Sequence, residues 1–231
     1  MGCSNVAADP GARPPHHVAW RIKELEAQVG DLQSSMICAF SQLLDLKDAN
    51  TGFHSTRLAE WGVRVARDLG VGADCLRDVE AAALLHDIGK IGVPDSILSS
   101  PNKLTDDEWK LMKKHPEYGW AIIRLFPNLT RAALFVLHHH ERVDGAGYPA
   151  GLTRGDIPIG ARIVAVIDAF DAMVSNRSYR AGLPIEEAIR RLIAAKGTQF
   201  DSDVVDCFIA KADLDGSAVF AATGTGAGVT L

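Results

Sequence analysis

The chain has 231 residues, of which 47% are hydrophobic and 23% are charged. This length and apolar content suffice for one good-sized domain, or a domain with appendages, so we expect the chain to fold alone. The net charge of −5 argues against a general polyanion-binding surface, so long nucleic acid is excluded as an expected partner.

The N-terminal segment divides into a leader and a helix. Residues 1–17 are predicted to be a flexible leader, because they contain few apolar residues and show no periodicity. Apolar residues then recur at alternating spacings of four and three, which is a heptad pattern: Val18, Ile22, Leu25, Val29, Leu32, Met36, Ala39, Leu43 and Leu46. We therefore predict a helix over residues 18–47.

Residues 18–32 of this helix have the composition of a parallel two-stranded coiled coil, because β-branched residues alternate with leucine along the seam. Arg21 could pair with Glu26 of a partner chain, so we expect a homodimer. Residues 36–47 instead carry a second apolar stripe that favours packing on the body of the protein. The alternative is that the whole helix packs on its own domain, and Gly30 counts against a long rigid seam.

The stretch Ala81 to Gly92 places His86, Asp87 and Lys90 where packing alone would favour apolar residues. We expect the His–Asp pair to lie inside a helix that opens at Asp78. A buried ionised carboxylate costs several kcal/mol unless it is paired or binds a metal, so the pair indicates a metal site. His54 lies on the inward face of the preceding helix, one turn before its first large apolar residue.

Two further sequence segments place histidines near helix ends. Thr105 to Glu108 form a capping box that predicts a helix start, and Pro116 should interrupt that helix or begin the next, leaving His115 at a junction. An apolar helix over residues 131–142 carries His138, His139 and His140, and a Gly-rich turn over residues 144–149 follows.

The remaining pattern is also helical. Pro158 precedes the most apolar helix, Ile159 to Val174, which contains the acidic residue Asp168; Pro184 starts a further helix that Gly197 ends. A last helix precedes a tail, predicted to be flexible, over residues 213–231. Because period-two alternation is almost absent, we predict an all-α, multi-helix bundle with its main domain over residues 48–212.

The unusual polar residues form a set of imidazoles and carboxylates without thiolates: His54, His86, Asp87, His115, two of His138 to His140, and Asp168. Fe, Mn and Zn accept such ligands, and the set is larger than one ion needs, so two divalent ions are predicted. A two-metal centre clamps the oxygens of a displacement at phosphorus and activates water as metal-bound hydroxide. The expected chemistry is hydrolysis of a phosphate ester.

Four motifs, taken together, carry a resemblance to a known family: HDIGKIG, HHERVDGAGYP, DAFDAM with NRSYR, and GTQFD. The region from Leu43 to Phe208 resembles the HD-GYP group of the HD-domain metal-dependent phosphohydrolases. The resemblance implies a bacterial phosphodiesterase that opens cyclic di-GMP to pGpG and in some members continues to GMP. It also implies iron as the first expectation, with manganese or zinc as alternatives.

Carried over by motif, the resemblance implies seven metal ligands, with Asp87 bridging: His54, His86, Asp87, His115, His139, His140 and Asp168. His138 falls outside this set. Asp87 and Lys90 are the implied catalytic residues. The implied substrate-binding residues are Lys90, Gly147, Tyr148, Pro149, Arg177 and Arg180. Where some relatives have a Glu that binds a third metal, this chain has Asn50, so two ions remain the prediction.

Several nearby polar residues receive supporting roles. We expect Glu141 and Asp144 to orient ligand histidines from outside the ligand set. Asp171 is expected to be solvated or to support Arg177. Lys110, Lys113 and Lys114 are expected to form a solvated helix face that could attract an anionic substrate.

Two alternative functions stay open. One is a noncatalytic cyclic di-GMP sensor or adaptor that binds other proteins, and the other is an HD phosphohydrolase that acts on a different nucleotide, for instance another cyclic dinucleotide. Regulation would act through the helix over residues 18–32 or through a separate regulatory protein partner. Four scattered cysteines without metal-ligand spacing, and no run of membrane-spanning length, predict a cytoplasmic protein without membrane insertion.

Overall fold

The computed structural model describes residues 16–47, 54–100, 102–176 and 181–214. Ten α-helices occur in these ranges: α1 (His16–Lys47), α2 (His54–Asp68), α3 (Ala73–Leu85), α4 (Asp95–Leu98), α5 (Asp106–Met112), α6 (His115–Ile123), α7 (Thr130–His138), α8 (Ile159–Val174), α9 (Ile185–Ala194) and α10 (Ser202–Leu214). Short 3₁₀ turns cover Ile88–Gly92 and Pro127–Leu129. The described residues contain isolated β-bridges but no strand, which confirms the all-α prediction.

The contacts divide the chain into two units, Met1–Cys38 and Ala39–Leu231. The described part of the first unit is the beginning of α1, which starts at His16, two residues into the predicted leader. Its heptad residues from Val18 to Leu32 are exposed, including Leu25 at 45%, Val29 at 54% and Leu32 at 62%, whereas Met36 is half-buried. None of the helices in the described ranges combines the length and the hydropathy that a membrane crossing requires.

The core of the second unit is built on α8, as the apolar content of this helix predicts. Ile163, Ile167 and Phe170 are completely buried, and helices α2, α3 and α7 all pack against α8. Phe170 also forms edge-to-face contacts with the Trp61 ring at 5.5 Å and the Phe208 ring at 5.0 Å, which bring α2 and α10 together. The central helix is therefore a rigid base for the polar side chains that it carries.

Local capping signals placed several helices correctly. The Thr105 side chain and Glu108 form the predicted capping box, with α5 beginning at Asp106. Helix α6 begins at the predicted junction, and α8 and α9 follow Pro158 and Pro184 directly. In the later part of α1, Leu44 is buried within the second unit.

The predicted surroundings of the His–Asp pair were wrong. Helix α3 opens at Ala73, before Asp78, and ends at Leu85, so His86 caps the helix and Asp87 precedes the 3₁₀ turn. The close approach of this turn to α6 explains the break in the helix. A Cβ atom on Gly89 would lie 1.8 Å from the His115 carbonyl oxygen, so the two backbones touch at a point where no side chain fits.

Other boundaries shifted by a few residues. Helix α7 ends at His138, which leaves His139 and His140 in the turn that follows it rather than inside a helix over 131–142. Helix α10 continues to Leu214, two residues into the predicted tail. The remainder of the predicted leader and tail lies outside the described residues.

Candidate metal centre

Two groups of three side chains meet at the ends of the central helices. The first group combines α2, the end of α3 and α8, and the second combines α6 with the turn after α7. Within each group, one potential ligand atom of each residue lies within 4.8 Å of the others. The first group is His54, His86 and Asp168, and the second is His115, His139 and His140.

Asp87 connects the two groups. Its Oδ2 atom lies 3.3 Å from His86 Nε2, and its Oδ1 atom lies 3.4 Å from His115 Nε2. Lys90 Nζ lies 2.8 Å from the same Oδ2 atom. Burial would raise the pKa of Asp87, but Lys90 and His86 hold it well below its usual value, so the carboxylate is ionised at neutral pH.

The orientation of three histidines is set by their own backbone. The Nδ1 atoms of His86, His115 and His139 each lie 2.6–2.8 Å from the carbonyl oxygen three residues earlier. A carbonyl only accepts hydrogen bonds, so Nδ1 carries a proton in each ring and Nε2 is directed into the site. His86 Nε2 is buried without a hydrogen-bond partner among the described residues. A buried nitrogen of this kind, facing a carboxylate, marks a place that suits a cation.

Asp171 gives His54 the same orientation. Its Oδ2 atom pairs with His54 Nδ1, and its Oδ1 atom accepts a 2.6 Å hydrogen bond from Arg57 Nε. Asp171 is only 1% exposed, so the prediction of a solvated residue was wrong; Arg177 lies outside the described residues. The signal in the sequence was the spacing of Asp168 and Asp171, because residues three apart share a helix face.

The electrostatics of the two groups differ. Burial and the neighbouring His115 lower the pKa of His140 to about 4, and burial lowers the pKa of His139 well below its usual value. Both rings are therefore neutral at pH 7, the form in which imidazole binds metals. For His86, burial opposes protonation, but Asp87 and then Asp168 raise the pKa to about 9. At neutral pH the His86 Nε2 atom therefore carries a proton as well, and a cation bound there would replace that proton.

The Gly-rich turn forms a wall beside the second group. The Tyr148 ring stacks on the His140 ring, with centroids 4.9 Å apart and planes at 29°. Burial raises the pKa of the Tyr148 phenol, so it stays neutral. A Cβ atom on Gly147 would lie 2.3 Å from the Arg142 nitrogen, so the turn can close only with glycine at this position. Pro149 is exposed at its outer side.

Glu141 forms hydrogen bonds with the backbone of this turn and does not orient a ligand histidine. Its buried carboxylate accepts hydrogen bonds from the backbone nitrogens of Ala150, at 2.6 Å, and Leu152, at 3.0 Å. Its nearest histidine is His138, whose Nδ1 atom lies 3.7 Å away. Asp144 pairs with Arg142 at the surface. The prediction that both acidic residues orient ligand histidines was therefore wrong.

The structure thus brings together all seven residues of the predicted ligand set, and it leaves His138 to one side. Lys90, Gly147 and Tyr148 border the same site. Three residues named by sequence analysis, Asn50, Arg177 and Arg180, lie outside the described ranges.

Comparisons with known proteins identify the family of this chain. The family described as HD domain matches residues 39–204. A Thermotoga maritima protein named cyclic di-GMP phosphodiesterase is 39% identical over 189 residues, which are 81% of this chain and 51% of that protein. A Vibrio cholerae protein named 3'3'-cGAMP-specific phosphodiesterase 2 is 35% identical over 187 residues, which are 80% of this chain and 36% of that protein.

A solved structure shares the fold. The crystal structure of a cyclic GMP-AMP specific phosphodiesterase of V. cholerae (V-cGAP3) superposes with a TM-score of 0.65 at 17% identity, over 84% of this chain and 51% of that one. The chain spans about half the length, or less, of the relatives that it matches here. By the family match and the identity to these relatives, the chain belongs to the HD domain family, in agreement with its resemblance to the HD-GYP group.

Proposed function

We propose that this chain is a metal-dependent phosphodiesterase that hydrolyses cyclic di-GMP to pGpG, with GMP as a further product. The observation that carries the proposal is the pair of three-ligand groups joined by Asp87, with histidine Nε2 atoms directed inward from both sides. Separate groups joined by one carboxylate are the arrangement that two divalent ions require.

In this proposal each group would hold one ion, and Asp87, which lies between the two groups, would help to hold both. The donors are imidazoles and carboxylates, so the site fits Fe, Mn or Zn, with iron as the first candidate from the family resemblance. When bound, such ions neutralise phosphate charge and lower the pKa of water toward neutrality. Divalent metal binding is what the HD domain family implies, and the inward Nε2 atoms of this chain support it.

The chain's own residues would position the substrate around the ions. Lys90 lies against Asp87 and supplies a positive charge beside the site, where it can stabilise an anionic phosphate oxygen. Tyr148 and the close turn at Gly147 form a fixed wall beside His140. Arg177 and Arg180 remain proposed phosphate ligands on the strength of the NRSYR motif.

A substrate panel tests the proposal. Protein loaded with Mn²⁺, or with Fe²⁺ without oxygen, is expected to convert cyclic di-GMP to pGpG, measured by chromatography of the products. The double variant His86→Ala with Asp87→Ala should lose bound metal and turnover together, whereas His138→Ala should keep its metal content. Turnover by the double variant at the rate of the unaltered protein would contradict the proposal.

A second substrate is favoured by one specific observation, the 35% identity to a 3'3'-cGAMP-specific phosphodiesterase. The panel therefore includes 3'3'-cGAMP, and a larger kcat/KM for it than for cyclic di-GMP would reassign the substrate without changing the reaction. Tight binding of cyclic di-GMP by metal-loaded, reduced protein without any turnover would instead support a noncatalytic sensor.

We also propose that α1 pairs with α1 of a second copy through residues 18–32. The heptad residues in this part of the helix are exposed, as is Trp20 at 64%. β-Branched residues alternate with leucine along the seam, which favours two parallel strands. Arg21 and Glu26 occupy positions that face each other between chains, so the flanking charges are complementary in a parallel pair.

A further inference from the structure

A line of side chains leads outward from the second three-ligand group. The Tyr148 ring stacks on His140, and Lys113 Nζ lies 5.3 Å from the centroid of the Tyr148 ring. The same Nζ atom lies 5.9 Å from the centroid of the Trp109 ring. The line therefore runs from a potential metal ligand, through a half-buried tyrosine, to a lysine and a tryptophan at the surface.

Trp109 presents a large part of its ring to solvent. Its side chain is 47% exposed, and α5, the short helix that carries it, buries none of its residues. A large aromatic ring left exposed beside a site is available for stacking, and every nucleobase offers a flat face to such a ring.

Lys113, which caps the C-terminal end of α5, differs from Lys110 within that helix. Lys110 Nζ is 2.7 Å from Asp107 Oδ1, so its charge is already paired. Within the part of the chain that the structure describes, Lys113 contacts the two aromatic rings and has no carboxylate partner. Its ammonium group can therefore bind an anion without first losing an ion pair.

The chemistry of the proposed substrate matches this line. A cyclic dinucleotide contains two phosphodiesters and two bases, so a molecule with one phosphate at the metal ions still presents a second phosphate and a base at a distance. A cation and an exposed aromatic ring are the groups that hold these parts. We propose that Lys113 binds the phosphate that is not cleaved and that Trp109 stacks on a base. This inference rests on the proposed function and adds a subsite to it.

The test compares two substrates of different size. Cyclic di-GMP would reach the subsite, whereas bis(p-nitrophenyl) phosphate has one phosphodiester and no nucleobase. The readout is the ratio of the kcat/KM values for these substrates. Lys113→Met and Trp109→Ala are each expected to lower this ratio about tenfold, mainly through the KM of cyclic di-GMP, since tenfold is the effect of losing one modest contact. Lys110→Met is the matched control and should leave the ratio unchanged. Lys113→Arg keeps the positive charge and should give a ratio close to that of the unaltered protein.

The ratios of the two variants either support or overturn the subsite. An unchanged ratio in Lys113→Met and Trp109→Ala, or an equal loss for both substrates, would overturn the subsite. If the unaltered protein hydrolyses only bis(p-nitrophenyl) phosphate, the proposed function fails, and equilibrium dialysis with cyclic di-GMP then judges the subsite separately. Weaker binding by Lys113→Met than by Lys110→Met would support it, and equal binding or no binding at all would refute it.

Discussion

The buried carboxylate of Asp171 orients His54, a potential metal ligand, although Asp171 is not part of either ligand group. It pairs with His54 Nδ1 and with Arg57, while His54 Nε2 lies 3.8 Å from Asp168 Oδ1. A carboxylate on the far nitrogen fixes the ring orientation and makes the near nitrogen more basic. Burial would raise the pKa of Asp171, but its bonds to His54 and Arg57 lower it, so the charge persists at neutral pH.

We therefore expect Asp171→Asn to weaken metal binding about 10- to 100-fold, because the amide lacks the charge that aligns His54. Titration of metal-free protein with Mn²⁺ measures this affinity. Asp144→Asn, which changes an exposed carboxylate paired with Arg142, is the control. Thermal unfolding of the metal-free variants separates loss of the fold from loss of affinity, and an Asp171→Asn affinity equal to that of the control would show that Asp171 only supports packing.

At the scale of elements, the contact between the 3₁₀ turn and α6 determines how close the two ligand groups lie. A methyl group on Gly89 would approach the His115 oxygen to 1.8 Å and the Gly119 nitrogen to 2.5 Å. Gly89→Ala must therefore push α6 away and separate His115 from Asp87. We expect a destabilisation of about 3 kcal/mol or more, the upper range for overpacking, with less than two equivalents of Mn²⁺ retained.

The matched control is Gly155→Ala, because a Cβ atom there meets nothing within 4 Å. Urea unfolding and metal analysis of both variants check the prediction. Normal stability and metal content in Gly89→Ala would mean that the turn adjusts more freely than its backbone contacts indicate.

The N-terminal helix allows a test of assembly at the same scale. Leu25→Asp in the full chain is expected to convert a dimer to a monomer, because it puts a charge into the proposed seam of α1. Ala27→Asp places the same charge on the outer side and should leave the dimer intact. Light scattering measures the mass of each protein, and a monomeric unaltered chain would rule out the pairing.

At the scale of the molecule, Asp201 links the start of α10 to α8 and to the loop that precedes α8. It is 1% exposed, and its Oδ2 atom accepts hydrogen bonds from Arg154 Nε at 2.8 Å and from Arg162 Nη1 at 2.6 Å. Its Oδ1 atom accepts a 2.9 Å bond from the Asp203 nitrogen at the start of α10. Burial opposes the charge, but these partners lower the pKa of Asp201 to about 2.

A folded-state pKa below the unfolded value of 3.8 makes this contribution fully present above about pH 4 and lost as the pH falls toward 2. We expect Asp201→Asn to cost about 2 kcal/mol at pH 7, with the difference from the unaltered protein shrinking below pH 4. Asp206→Asn, at an exposed pair with Lys196, should have little effect. Urea unfolding at several pH values measures both, and a constant difference down to pH 2 would contradict the electrostatic explanation.

Sequence analysis predicted the features that depend on neighbouring residues and missed those that depend on contacts between distant parts of the chain. Thr105, Pro158 and Pro184 act within one helical turn, so the starts of their helices could be predicted. The end of α3 depends on Gly89 meeting the backbone of His115, a contact between separate elements. The role of Asp171 depends on His54, more than a hundred positions earlier, and nothing in the local pattern reveals that partner. The seven residues of the ligand set could be predicted because the family's motifs, taken together, name residues that lie far apart in the chain.

The first ligand group has a consequence for how the protein unfolds. His54 and Asp168 are more than a hundred positions apart in the chain, so an ion held by both would act as a cross-link that closes a very long loop of the unfolded chain. The second group joins residues that are near neighbours in the chain and closes only a short loop. Loss of the first ion should therefore lower the melting temperature more than loss of the second. The protein's resistance to heat would then depend on the supply of metal in its surroundings.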